Sequence, residues 1–219
     1  MKFKIILFII CFFVISGAIT IASEKMLSLS EIMDRVEKRY EAVDFSAYFV
    51  QESTITVMDI SDIASGRIFV KRPGMLRWEY DKPDRQTITT DGKKLWIYKP
   101  DDNQVMIGKA PSFFGNGKGA GFLSDMKLIR EKFVVSFEKE KSEHDYVLKL
   151  LPREQTVGIA EIYLAVSKIT FKIKKIITLN EYDDKTVIEL INSKFNLNLD
   201  KSLFSFIVPE GTDVIIIDE

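Results

Sequence analysis

From Phe45 onward, the apolar side chains of this chain recur on every second position, in short runs broken by Asp, Asn, Gly and Pro. Successive side chains of an extended backbone point to opposite faces, so a period of two predicts strands with one buried face. Phe45, Ala47 and Phe49 begin the series. A short run at 54–60 is the second candidate strand and 66–83 a longer stretch. Further runs lie at 86–90, 94–99, 104–107, 133–137, 146–151, 159–166, 169–179 and 186–191, then around Phe195, 204–208 and 214–217. Asp91-Gly92 is a tight-turn dipeptide, while 100–103 and 182–185 are rich in turn residues. Strands so closely spaced leave no room for crossover helices, which predicts an antiparallel meander rather than βαβ units. A sheet of that size curls or closes.

Two segments depart from the alternation. Ser28-Leu29-Ser30-Glu31 is a capping-box pattern. After it Leu29, Ile32, Met33, Val36, Tyr40 and Val43 recur at helical spacing, with Lys38 and Arg39 in the later turns where cations suit the helix dipole. That predicts an amphipathic helix of about four turns. The second departure is glycine-rich: five glycines between 108 and 121 exclude a rigid strand, and Phe122, Leu123, Met126, Leu128 and Ile129 then fit a short apolar helix. Its Gly-Asn-Gly-Lys-Gly-Ala-Gly run lacks the Lys-Ser/Thr ending of a phosphate loop and no parallel strand feeds it. A smaller anomaly sits at Arg72-Pro73-Gly74. Continuing the period past Ile68 and Val70 sends the Arg72 guanidinium to an otherwise apolar face, beside a proline that cannot donate to a ladder.

The N-terminus reads as an export signal: Lys2 and Lys4, then Ile, Leu, Phe and Val almost unbroken from 5 to 15, then Ser16, Gly17, Ala18 and Thr20-Ile21-Ala22. We expect residues 1–22 to be a signal peptide, cleaved after Ala22, with 23–219 forming one domain; no linker divides it. Cys11, the single cysteine, leaves with the signal. An exported chain that relies on packing without disulfides suits the bacterial periplasm. Without Lys2 and Lys4 the 31 basic residues fall to 29 against 32 acidic ones, a net charge of about −3 that gives nucleic acid no basic surface.

Sites for chemistry are missing from the pattern. His144 is the only histidine, in Glu143-His144-Asp145 between two strands. With no second His or Cys, a zinc site would be all carboxylate. No G-x-S-x-G elbow accompanies it for a Ser-His-Asp arrangement. Asp81/Asp84, Asp101/Asp102 and Asp183/Asp184 flank turns, where Asp bonds its own backbone. We therefore expect no catalytic residues, no metal and no cofactor. The chain is instead rich in large apolar side chains, with 16 Phe and 2 Trp. Trp78, Tyr80, Trp96 and Tyr98 fall in adjacent strands. That is compatible with an ordinary packed core or with a cavity for an apolar ligand, walled by one sheet face and covered by helices.

"VKRPGMLRWEYDKP", "TITTDGKKLWIYKPDDNQV" and "NLNLDKSLFSFIVPEGTDVI", in that order and spacing, resemble the outer-membrane lipoprotein carrier family (LolA), and "FSAYFVQE" follows the first helix where the family has it. The resemblance implies an incomplete, half-open antiparallel β-barrel, here of about ten to eleven strands, with an N-terminal helix and a helical lid. It implies a monomeric, non-enzymatic periplasmic chaperone. Such a protein receives the acyl chains of lipoproteins from an ATP-driven inner-membrane release complex and passes them to an outer-membrane receptor (LolB-like). In the family, the Arg of Lys-Arg-Pro latches the lid by bonding its backbone, a role that falls on Arg72. Candidate cavity walls are Val70, Leu76, Trp78, Ile88, Trp96 and Tyr98; candidate lid residues are Ile32, Val36, Phe122, Leu123 and Met126. Alternatives are a periplasmic carrier or sensor of another lipid, such as a polyisoprenoid or glycolipid, on the same fold, and a secreted hydrolase.

Overall fold

Twelve strands form one sheet whose two ends never meet. They are β1 (Phe45–Ile55), β2 (Ile60–Lys71), β3 (Met75–Lys82), β4 (Gln86–Thr90), β5 (Lys94–Lys99), β6 (Gln104–Lys109), β7 (Phe133–Phe137), β8 (Asp145–Pro152), β9 (Glu161–Ser167), β10 (Ile173–Leu179), β11 (Lys185–Phe195) and β12 (Asp213–Ile216). Their order is β12-β6-β5-β4-β3-β2-β1-β11-β10-β9-β8-β7. All pairings are antiparallel except β12 with β6. This computed structural model describes residues 27–41, 44–110, 118–138, 142–155 and 158–217. The segment read as a signal peptide, Val43 and the glycine-rich stretch 111–117 lie outside them.

The helix α1 (Leu29–Tyr40) starts at the capping box read from the sequence: the Ser28 hydroxyl accepts from the Glu31 amide, and the Glu31 carboxylate accepts from the Ser28 amide at 2.8 Å. It buries Ile32, Met33, Val36 and Tyr40. A 3-10 turn (Lys118–Leu123) and the short helix α2 (Lys127–Lys132) form the insertion between β6 and β7.

Register fixes which side chains share a face. Ile68 pairs with Trp78, Trp78 with Ile88 and Ile88 with Ile97; Val70, Leu76, Thr90 and Leu95 form a parallel row. In the other half Leu148, Leu164, Ile176 and Ile188 line up. Both halves join α1 and the insertion in one apolar cluster. Strands are spaced about 4.8 Å apart, so β5 and β8, eight positions apart in the order, would lie almost 40 Å from each other in a flat sheet. A helix of about 10–12 Å diameter reaches both only if the sheet wraps around it. The covered face is the inner one.

Three sequence expectations change. The 54–60 run is not a strand of its own: β1 extends to Ile55, a 3-10 turn (Thr56–Met58) follows, and Asp59 turns the chain at φ 53. Asp59 is its single turn-favouring residue, set among β-formers, so the alternation hid a hairpin tip. The 204–208 run is preceded by a 3-10 turn (Lys201–Phe204) and is not a strand, although Phe204 is fully buried. The last strand runs parallel to its neighbour.

Gly66 sits between Phe49 and Tyr80 across three strands, and the two rings meet with centroids 5.0 Å apart. A Cβ here would lie 1.8 Å from the Glu79 carbonyl oxygen. Gly66→Ala therefore forces β2 and β3 apart. It should lower unfolding stability by about 2–3 kcal/mol, read as a lower denaturant midpoint at unchanged slope.

Candidate functional site

The insertion lies over the inner face as a lid, and its apolar side chains interleave with those of α1. Phe122, Leu123 and Ile129 are fully buried, as is Ile32; Val36 and Met126 are nearly so. From the sheet, Val70, Leu76 and Trp78 meet them, equally buried, and half-buried Ile88 packs against the same cluster. The lid candidates and four of the six wall candidates thus converge.

Trp96 and Tyr98 do not. Ile88 pairs with Ile97, which turns the neighbouring Trp96 and Tyr98 to the outer face, where Tyr98 packs on Phe206 at 5.0 Å. Leu95 and Ile97 take the inner positions. Residue type alone points both aromatics to a cavity wall, but face is set by register. The three-residue connection 91–93 carries that register. The Asp91 carboxylate accepts from the Lys93 and Lys94 amides, and the Thr90 hydroxyl accepts from Gly92. The outer face has its own cover, where the Arg77 guanidinium donates to the Leu203 carbonyl and Phe204 is buried.

Arg72 resolves the anomaly in the alternation. β2 stops at Lys71 and Arg72 opens the turn to β3, so the strand period no longer aims its side chain. The guanidinium Nη2 donates to the Leu123 carbonyl at 2.7 Å, and the Gly74 amide, from the same turn, reaches the Ser124 carbonyl at 3.4 Å. Gly74 has φ +70, and a Cβ there would press to 3.4 Å from Gly92 in the facing turn. The Arg72 guanidinium lies 5.9 Å from the Tyr40 ring centre. Its Nε is buried without a partner. Burial pulls the Arg72 pKa down, partly offset by the charge of Asp125. Closure therefore makes one good charge-assisted bond while stripping water from a cation that is not fully satisfied.

Other contacts tie the lid to α1 and α1 to the sheet. Arg130 of α2 bonds Glu37 and Asp34 of α1. Arg35 stacks on Phe171, and Arg39 lies 4.2 Å from the Phe195 ring centre, with Lys172 at 5.1 Å. The Tyr40 hydroxyl accepts from the Ile173 amide at 3.0 Å in a fully buried setting. His144 is exposed, and the described residues contain no cluster of three or more metal-ligating side chains.

The sequence profile described as "Outer membrane lipoprotein carrier protein LolA" matches residues 41–207. The chain belongs to the LolA family. An outer-membrane lipoprotein carrier protein of Pseudomonas paraeruginosa is 30% identical over 69% of this chain and 71% of its own length. One from Nitrosomonas europaea is 30% identical over 80% and 84%. A solved LolA-superfamily structure from Nitrosomonas europaea shares the fold at a TM-score of 0.50 and 14% identity, covering 83% of this chain and 99% of its own. LolA proteins are carriers without enzymatic activity, and the hydrolase alternative falls with that membership.

Tyr40 supplies a pH test of the site. Burial pushes its pKa from 10.0 to about 12, against the opposing pull of the Ile173 amide and the charges of Arg39 and Arg72. A raised pKa means the neutral phenol is favoured in the fold. Its contribution is complete below pH 10 and declines as pH rises from 10 toward 12, by roughly 3 kcal/mol in all. Tyr40→Phe should cost about 1–2 kcal/mol at pH 7, because the Ile173 amide loses its partner. The gap between the variant and the unaltered chain should close and then reverse as pH rises from 10 to 12 and beyond, measured by denaturant unfolding at each pH.

Proposed function

We propose that the mature chain, 23–219, is a monomeric periplasmic chaperone. It takes the acyl chains of lipoproteins released from the inner membrane by an ATP-driven complex and delivers them to an outer-membrane receptor. The observation that carries this reading is the bond from Arg72 to the Leu123 carbonyl. It holds a lid whose own apolar side chains occupy the face that acyl chains would need.

The energetics favour such an arrangement. Burial contributes roughly 0.8 kcal/mol per CH₂, so two or three long chains could yield tens of kcal/mol if wholly buried. Non-covalent affinities saturate near about −20 kcal/mol, and a carrier must also release. A face that is already dry when empty removes much of that gain, because cargo displaces protein side chains rather than water. A charge-assisted bond adds about 1.5–3 kcal/mol to the closed form. Val70, Leu76, Trp78 and Ile88 are the proposed wall, with Leu95 and Ile97 in place of Trp96 and Tyr98. Ile32, Val36, Phe122, Leu123 and Met126 are the proposed displaceable fill.

Arg72→Leu tests the latch. Leucine keeps part of the stem while removing the donors. The open form should gain about ten- to a hundredfold. The variant should load lipoprotein at least as readily, retain it, and transfer it poorly to the receptor, with its thermal midpoint close to that of the unaltered protein. Normal transfer would reduce Arg72 to a turn residue.

A further inference from the structure

The β1–β2 hairpin projects past β3 on one side. β3 accompanies β2 only to Ser65, opposite Lys82, so from Ile60 to Ala64 β2 is paired with β1 alone. On the other side β11 follows β1 as far as Thr54, opposite Lys185. The projecting tip is ordered by specific bonds. The Thr56 amide donates to the Asp184 carboxylate at 2.9 Å and its hydroxyl to the Asp183 carbonyl at 2.7 Å, while the Thr54 and Ser61 hydroxyls lie 2.8 Å apart.

Water-facing turns of this kind are ordinarily polar. This one exposes Ile55, Val57, Met58, Ile60 and Ile63, with Val57 at 85% and Ile63 at 64% of their full area. Tyr182, 73% exposed, stands on the β10–β11 turn whose Asp183 and Asp184 bind the tip. The charged residues between Gln51 and Gly66 are all carboxylates: Glu52, Asp59 and Asp62.

The arrangement of these side chains selects the partner. Ile55 and Ile60 are opposite each other and share the inward parity of Phe49 and Ile68. Ile63 has the other parity and faces the opposite side, while Val57 and Met58 occupy the end. Exposed apolar groups therefore lie on both faces and at the end of the tip. A protein surface meets one side of a hairpin, and a standard interface takes about 20–30 residues from each partner. A lipid phase closes around an inserted tip and needs only a few side chains, with a tyrosine at the headgroup level. Anionic lipid would repel the carboxylates.

From these features we infer that the β1–β2 hairpin tip inserts Val57, Met58 and the flanking isoleucines into a zwitterionic lipid surface with no net charge. The tip lies at the same end of the sheet as a 440 Å³ cleft lined by Gln51, Tyr80, Pro83, Arg85, Gln86 and Lys99, among others. Tyr80 packs on Phe49 and Trp78 behind it. Contact with a bilayer would thus bring the lipid to the end of the sheet that carries this cleft. Membrane contact by the tip does not require that the inner face carry acyl chains.

The test is flotation of the cargo-free mature chain with phosphatidylcholine vesicles, comparing it with V57D/M58D. The unaltered chain should float. The double variant should lose roughly tenfold or more in partitioning, with an unchanged thermal midpoint. Replacing a quarter of the lipid with phosphatidylglycerol should weaken binding by the unaltered chain at low salt, opposite to a polybasic contact. Should the aspartates disturb folding, V57S/M58S decides, with a severalfold loss expected. An unaltered chain that stays with the soluble fraction, as it would if the tip served only a protein partner, overturns the inference. So does a folded variant that floats equally well. Uptake of a detergent-solubilised lipopeptide by the same preparations reads the cargo proposal separately: loss of uptake with flotation intact would strike that proposal and leave the tip.

Discussion

A twelve-stranded sheet that stays unclosed exposes an apolar face too large to leave wet, and that face organises the rest of the molecule. Leu76, Trp78, Leu95, Leu148, Leu164 and Ile176 belong to strands from one end of the sheet to the other, yet all are buried. Hydrophobic burial is non-directional and satisfied by any apolar cover. Here the cover is α1 and the lid, and an acyl chain of similar chemistry would serve equally well. Such interchangeability of cover suits the proposed carriage of acyl chains.

Directional interactions then decide how firmly the protein's own cover is held. The lid has two attachments of different character. Arg130 binds it to α1 through two partly exposed carboxylates, a contact that moves with the helices rather than opposing their separation from the sheet. Arg72 and Gly74 bind it to the β2–β3 turn, across the boundary between the insertion and the sheet. The Arg72 bond is strong, but the buried, unpartnered Nε and the depressed pKa of the guanidinium set a desolvation cost against it. The contact thus combines a charge-assisted bond with a desolvation cost, which suits the latch proposed for Arg72. Tyr40, bonded to the Ile173 amide and ringed by Phe45 and Phe195, fixes the end of α1 to the sheet more deeply.

The two faces of the sheet also divide the aromatic residues into separate tasks. Phe49, Trp78 and Tyr80 form a contiguous inner group that runs from the core to the open cleft. Tyr98 and Phe206 belong to the outer face, where the segment after β11 shields the sheet from water. Burial there makes the C-terminal segment part of the fold's stability rather than of its inner face.

Local chemistry along the chain was enough to determine α1, down to the reciprocal bonds of Ser28 and Glu31, because a capping box and a helical apolar stripe are set within a few residues. It was also enough for the antiparallel meander and for the apolar lid residues, since the period of two and the glycine-rich break are local signals. What it could not determine was anything that depends on which strand lies opposite which residue. Trp96 and Tyr98 went to the outer face because the 91–93 connection pairs Ile88 with Ile97, and a one-residue change in register exchanges the faces. The 54–60 run became a hairpin tip because β1 and β2 pair through it, and β12 became parallel because its segment returns to β6 from a distant part of the chain. Arg72 lies between these cases. Its misfit with the strand pattern was visible locally, but its partner, the Leu123 carbonyl, is 51 residues away, and only the closed tertiary structure brings the two together.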